Sequence, residues 1–118
     1  MIYTIQETVD LIDEIGEPNV GVLFDVYHLW DTDNVLQDVR RYAPRFGPAV
    51  HICDWRDPTR NDFDRVLPGD GIIDLPGIFG ALNTVGYDGY VNLECSTTGD
   101  PAVTLPATAT WIHDLARS

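Results

Sequence analysis

Apolar residues recur at helical spacing near the N-terminus, at Ile5, Val9, Ile12 and Ile15, and predict an amphipathic helix over residues 4–15. Thr4 and Glu7 have the spacing of a capping box, and Gly16 stands where the helix should stop. The run Val20-Gly-Val-Leu-Phe-Asp25 is too short for a helix and rich in branched and aromatic residues, so it reads as a buried strand over 20–25. A second helix is expected over 33–43, ending before Pro44, and Gly47-Pro48 turn the chain into a second strand over 49–55. Residues 56–71 show no periodicity and contain Pro58 and a Pro-Gly-Asp-Gly run. A loop of that length suggests a functional lid or rim. Leu75, Ile78, Phe79 and Leu82 predict a third helix over 75–85, closed by Gly86. Alternation over 90–96 predicts a third strand, and Leu105, Ala109, Ile112 and Leu115 form the expected inward stripe of a last helix over 102–116. Helices and strands thus alternate along a single domain, which gives the α/β class with parallel βα repeats.

Successive strand residues point to opposite faces, so parity separates the side packed by helices from the other side. One parity gives Val20, Val22 and Phe24, then Val50 and Ile52, then Val91, Leu93 and Cys95, all apolar. The other gives Gly21, Leu23 and Asp25, then Ala49, His51 and Cys53, then Tyr90, Asn92, Glu94 and Ser96. Asp25, His51 and Glu94 therefore share one face, one from each strand. Each has an ordinary structural explanation: a turn cap, a core histidine and a partner for an Arg. Together they make a mixed oxygen and nitrogen set suited to one divalent metal, Mn, Mg, Co or Zn.

Composition narrows the partners. The 118 residues carry a formal charge of −12, and all seven basic residues are Arg. Such a field repels nucleic acid and anionic membranes and attracts divalent cations. With 44% hydrophobic residues the chain is expected to fold, and its length bounds it to one domain. Cys53 and Cys95 match no disulfide framework or CxxC pattern and read as reduced thiols. Neither a basic-then-apolar leader nor an apolar run of ~20 residues is visible, so a cytoplasmic location is expected.

Four segments, Val-Gly-Val-Leu-Phe-Asp-Val-Tyr-His28, Val50-His-Ile-Cys-Asp54, Pro68-Gly-Asp-Gly-Ile-Ile-Asp74 and Gly86-Tyr-Asp-Gly-Tyr-Val-Asn-Leu-Glu94, look like consecutive motifs. In order and spacing they resemble the xylose-isomerase-like TIM barrels, the sugar phosphate isomerase and epimerase superfamily. The resemblance implies that Asp25, His51 and Glu94 occupy the metal-ligand positions of the last three barrel strands, with Glu94 also moving a proton. It implies that His28, in an Asp-x-x-His pattern, binds substrate. Arg56 lies near a position used to hold substrate oxygens, and Asp54 is assigned either a polar contact or loop anchoring. Trp30 or Trp55 could wall a sugar face, although core or rim packing is the more ordinary role for either.

The implied activity is metal-dependent proton transfer beside a carbonyl of a keto-sugar or related polyol. Dehydration of an inosose or a shikimate-like substrate begins with removal of the same kind of proton. A remnant without activity, binding a small polyol or serving in assembly, is a third reading. DNA repair, also found in the superfamily, conflicts with the acidic charge.

A full (β/α)8 barrel needs about 250 residues, so this sequence supplies the last three strands and is incomplete as a lone barrel. The glutamate expected from the preceding strand is absent. The inner sheet face and two strand edges are left needing cover, and a homo-oligomer or a complementary chain is expected to provide it.

Overall fold

The capping box forms as its residues require. In the computed structural model, which describes residues 2–62, 64–95 and 100–117, Thr4 Oγ1 accepts from Glu7 N at 3.1 Å and Glu7 Oε2 accepts from Thr4 N at 3.2 Å. Helix α1 spans Ile5–Ile15 and ends at Gly16, whose φ of 74° is the left-handed cap that favours glycine. Ile5, Val9 and Ile12 are buried, whereas Ile15 remains exposed at the helix end.

Strand β1 is Val22–Asp25, and Val20, expected within it, lies outside and exposed. A short helix, α2 (Val26–Leu29), follows directly, with Asp25 as its N-cap. At one turn it is too short to leave a periodic pattern. Helix α3 covers Val35–Tyr42, inside the expected 33–43, and a 3-10 turn at Ala43–Arg45 carries the chain into β2, Phe46–Ile52. The second strand therefore starts earlier than its turn residues suggest. Pro48 has no N–H to give the ladder, and the register with β1 shifts there: Val22 pairs Phe46, but Phe24 pairs Val50.

The expected end of that strand behaves differently. Asp54–Trp55 forms β3, which leaves the sheet and pairs antiparallel with β4, Arg65–Val66, inside the segment expected to be a loop. Asp57-Pro58 is a cis peptide. Helix α4, Leu75–Thr84, is capped by Asp74, whose Oδ1 accepts from Gly77 N at 3.0 Å. Strand β5 is Tyr90–Leu93, and α5 spans Pro101–Ala116. Ser96, placed by parity on the site face, lies outside the described residues.

The sheet is parallel in the order β1-β2-β5, and among the described residues it does not close into a barrel. Helices α1, α3, α4 and α5 lie side by side in that order. The core is the layer between these helices and the sheet, where Phe24, Val22, Val50 and Ile52 meet Ile5, Val9, Val39, Ile78 and Phe79. Phe24 and Phe46 stack with ring centroids 5.4 Å apart. The other sheet face has no covering layer among the described residues, and Leu23 and Tyr90 stand 58% and 75% exposed upon it.

Two expectations about side-chain direction change. Cys53, assigned by alternation to the open face, is buried, because the regular pleat of β2 ends at Ile52. Burial pushes its thiol up to about 12, so it is a neutral core group at physiological pH. In α5 the expected inward stripe is only half covered. Thr108 is the one buried residue of the helix, Ile112 and Leu115 are half-buried, and Leu105 is exposed. The helix lies beside the last strand, and Phe79, Val91, Leu93, Leu105 and Ile112 line an open groove there of about 480 Å³. Among the described residues no helix is long and apolar enough to cross a membrane.

Candidate metal centre

The parallel ladder brings three strand residues together at the C-terminal end of the sheet. Asp25 pairs with His51, His51 pairs with Asn92, and Glu94 N donates to Ile52 O at 2.9 Å, one step past the end of β5. One donor atom each from Asp25, His51 and Glu94 lie within 4.8 Å of one another. His51 Nδ1 is 3.0 Å from Glu94 Oε2. The turn-cap explanation of Asp25 is also true: its Oδ1 accepts from Tyr27 N at 2.9 Å. That hydrogen bond fixes the carboxylate and leaves Oδ2 turned toward His28, whose Nε2 is 3.9 Å away.

The carboxyl groups of Asp25 and Glu94 are shifted in opposite directions. Burial holds Asp25 above the usual carboxylate range, partly offset by the Tyr27 amide and the His28 charge. The hydrogen bond from His51 holds Glu94 below that range, with a smaller contribution from Arg65. Glu94 is also the more exposed of the two, its side chain half exposed.

His28 sits on α2, three residues after Asp25, with its side chain 63% exposed at the rim. The guanidinium next to it is Arg65, which the sequence reading did not single out. Its Cζ lies 4.1 Å from the centre of the Tyr27 ring, and one terminal nitrogen is 3.5 Å from His28 Nε2. Arg56, expected in this role, is exposed at the start of the loop, and its charge acts on Asp64. The reason for the exchange is the β3–β4 hairpin, in which Trp55 pairs with Arg65 and returns the later arginine to the sheet end. Arg65 stands just ahead of Leu67-Pro68-Gly69, and an arginine next to a Pro-Gly turn was the one local signal for it.

Asp54 is not available to a substrate. It is 1% exposed and its oxygens accept from the amides of Trp55, Gly69 and Ile73, so of its two expected roles the geometry supports loop anchoring. Trp30 is half-buried against the core with its ring 5.9 Å from Trp55. Trp55 in turn stacks 5.1 Å from Tyr27, nearer the site. Packing thus accounts for Trp30.

The loop carries its own ion pair. Arg60 forks onto Asp64, Nε to Oδ2 at 2.9 Å and a terminal nitrogen to Oδ1 at 2.5 Å, with Arg60 N also donating to Oδ2. These contacts lower Asp64 to about 2. A depressed folded-state value means that the stabilisation is present above the ordinary value of 3.8 and is lost as pH falls toward 2. Hydrogen exchange of the Arg60 and Asp64 amides should therefore accelerate between pH 4 and pH 2 beyond the intrinsic trend. Asp64→Asn should remove that extra dependence, and an unchanged profile in the variant would contradict the assignment.

One imidazole and two carboxylates, converging on a solvent-facing sheet end, suit a divalent cation. The three donors among the described residues are one short of a closed four-ligand site. The match to the family model described as xylose isomerase-like TIM barrel runs over residues 1–116. The chain is 29% identical to an inosose isomerase of Bacillus velezensis over 79% of its length, covering 34% of that protein. It is 30% identical to an inosose dehydratase of Klebsiella pneumoniae over 86% of its length, covering 38% of that protein. A xylose isomerase domain protein from Alicyclobacillus acidocaldarius superposes with a TM-score of 0.84 at 29% identity, over 99% of this chain and 44% of that one. The chain thus spans little more than a third of the curated relatives it matches. Matched from its first residue to within two of its last, and sharing that parallel βα architecture, the chain belongs to the xylose isomerase-like TIM-barrel family.

Proposed function

We propose that this chain carries the C-terminal part of a metal-dependent sugar isomerase or epimerase site, acting by proton transfer beside a carbonyl of a keto-sugar or related polyol. The observation that carries the reading is the convergence of Asp25, His51 and Glu94 on the open sheet face. These three residues would hold one divalent cation. When bound, such a cation polarises a carbonyl and stabilises the negative charge that develops beside it as the proton leaves.

Glu94 is half exposed and next to that position, so it takes the proton from carbon; in an isomerase it would deliver it to the neighbouring carbon, and in an epimerase a second group, from the covering polypeptide, would deliver a proton to the opposite face. Asp25, fixed by the Tyr27 amide, presents its carboxylate to the same position. His28 and Arg65 hold substrate oxygens, and Tyr27 and Trp55 form the adjoining aromatic wall. The exposed Leu23 and Tyr90 and the free edges of β1 and β5 call for a covering polypeptide, a second copy or a chain bearing further strands, to exclude water and complete the site. The similarity to an inosose dehydratase favours one further reading, loss of water after the same proton abstraction.

Incubating the assembled protein with Mn2+ and a keto-sugar or inosose in D2O tests both. Deuterium at the carbon beside the carbonyl, in a product of unchanged composition, is the expected result. A product lighter by one water selects the dehydratase. No incorporation and no product would contradict the proposal.

A further inference from the structure

Residues 56–73 leave the sheet end and return to it as a strap, and one buried carboxylate ties both ends. Asp54 Oδ1 accepts from Trp55 N and Ile73 N, each at 2.9 Å, and Oδ2 accepts from Gly69 N at 2.9 Å. A buried carboxylate needs its oxygens met by donors, and at 1% exposure Asp54 meets three backbone amides. Ile72 N closes the same junction by donating to Trp55 O at 3.0 Å. Gly71 is required by it: a Cβ there would lie 2.3 Å from Trp55 O and 2.5 Å from Asp54 Oδ1.

We propose that Asp54 is a positioning residue for the site, its clamp on the strap backbone setting where Arg65 lies. The clamp acts through the hairpin, because Asp54 itself pairs with Val66 and its neighbour Trp55 pairs with Arg65. Arg65 cannot set its own position by a strong ion pair. Its Nε has no hydrogen-bond partner among the described residues, and the guanidinium rests over the Tyr27 ring with only a 3.5 Å approach to His28. Its placement therefore depends on the backbone that carries it. The Tyr27 hydroxyl holds the same strap from the other side, donating to Asp62 O at 2.6 Å. The importance of this position rests on the function proposed above, while the clamp itself is tested without it.

Two variants release the clamp by different routes. Asp54→Asn turns an amide NH2 toward one of the backbone N–H donors, and Gly71→Ala drives a methyl group into the Asp54 carboxylate. The Arg65 Nε–H proton, shielded by the Tyr27 ring, is expected upfield in the NMR spectrum of the unaltered protein. In both variants that shift should collapse and the Gly69 and Ile73 amides should exchange roughly 10-fold faster or more, the loss of a charge-assisted hydrogen bond. Amides of β1, β2 and β5 should keep their protection, and Mn2+ affinity should change by less than about threefold, because no metal ligand is touched. An upfield Arg65 proton retained in either variant would overturn the proposal. So would loss of sheet protection together with the shift, which would make Asp54 a residue of the fold as a whole. Absence of Mn2+ binding by the unaltered protein would count against the proposed function, and the Arg65 signal would still decide the clamp.

Discussion

Replacing Glu94 with Gln is expected to reduce solvent-proton exchange into substrate by on the order of 10³-fold while leaving the fold intact. The substitution keeps size and one carbonyl oxygen and removes the group that can accept a proton. Glu94 is half exposed and lies just past the end of β5, so the fold asks little of its side chain. The hydrogen bond to His51 persists if the imidazole presents Nδ1–H to the amide oxygen. Circular dichroism and the urea midpoint should therefore match the unaltered protein. Exchange retained within about tenfold would show that another group moves the proton and would remove Glu94 from that role.

The second large effect is on stability. Phe24→Ala should cost about 3–5 kcal/mol, because Phe24 is fully buried in the core cluster with its ring against Phe46. A domain of this size has roughly 5–15 kcal/mol to lose, so the variant should be largely unfolded well below the urea midpoint of its parent. The site should disappear with it, since Phe24 immediately precedes Asp25 and sets the pleat that turns Asp25 to the open face. A loss under about 1 kcal/mol would mean that this core collapses around the cavity or that the helix layer contributes little.

Local patterns carried much of this structure. The capping box at Thr4 and Glu7, the stop at Gly16 and the buried series Ile5, Val9 and Ile12 depend on residues three or four apart, which a sequence displays directly. Asp25, His51 and Glu94 could be placed on one face because alternation within each strand is local, and a parallel order of strands does the rest. Arg65 was not legible for the opposite reason. Its position is set by hydrogen bonds that the Gly69 and Ile73 amides donate to Asp54, contacts 15 and 19 residues apart across a segment without periodicity. The same long-range pairing moved Asp54 from a possible substrate contact to an anchor and moved Arg56 away from the site. In α5 the apolar stripe was visible, but burial depends on what stands opposite, and beyond β5 the described residues offer Leu105 and its neighbours an open groove.

Bound metal per chain reads out whether the sheet end is a metal centre. The protein should be purified, equilibrated with Mn2+ or Zn2+ near pH 7, freed of excess and assayed for bound metal per chain, beside His51→Ala. Close to one ion per chain is expected in the unaltered protein, with an affinity at least ~100-fold weaker in the variant, which loses the single nitrogen donor. Metal bound equally by both, or by neither, would contradict the assignment of Asp25, His51 and Glu94 as its ligands.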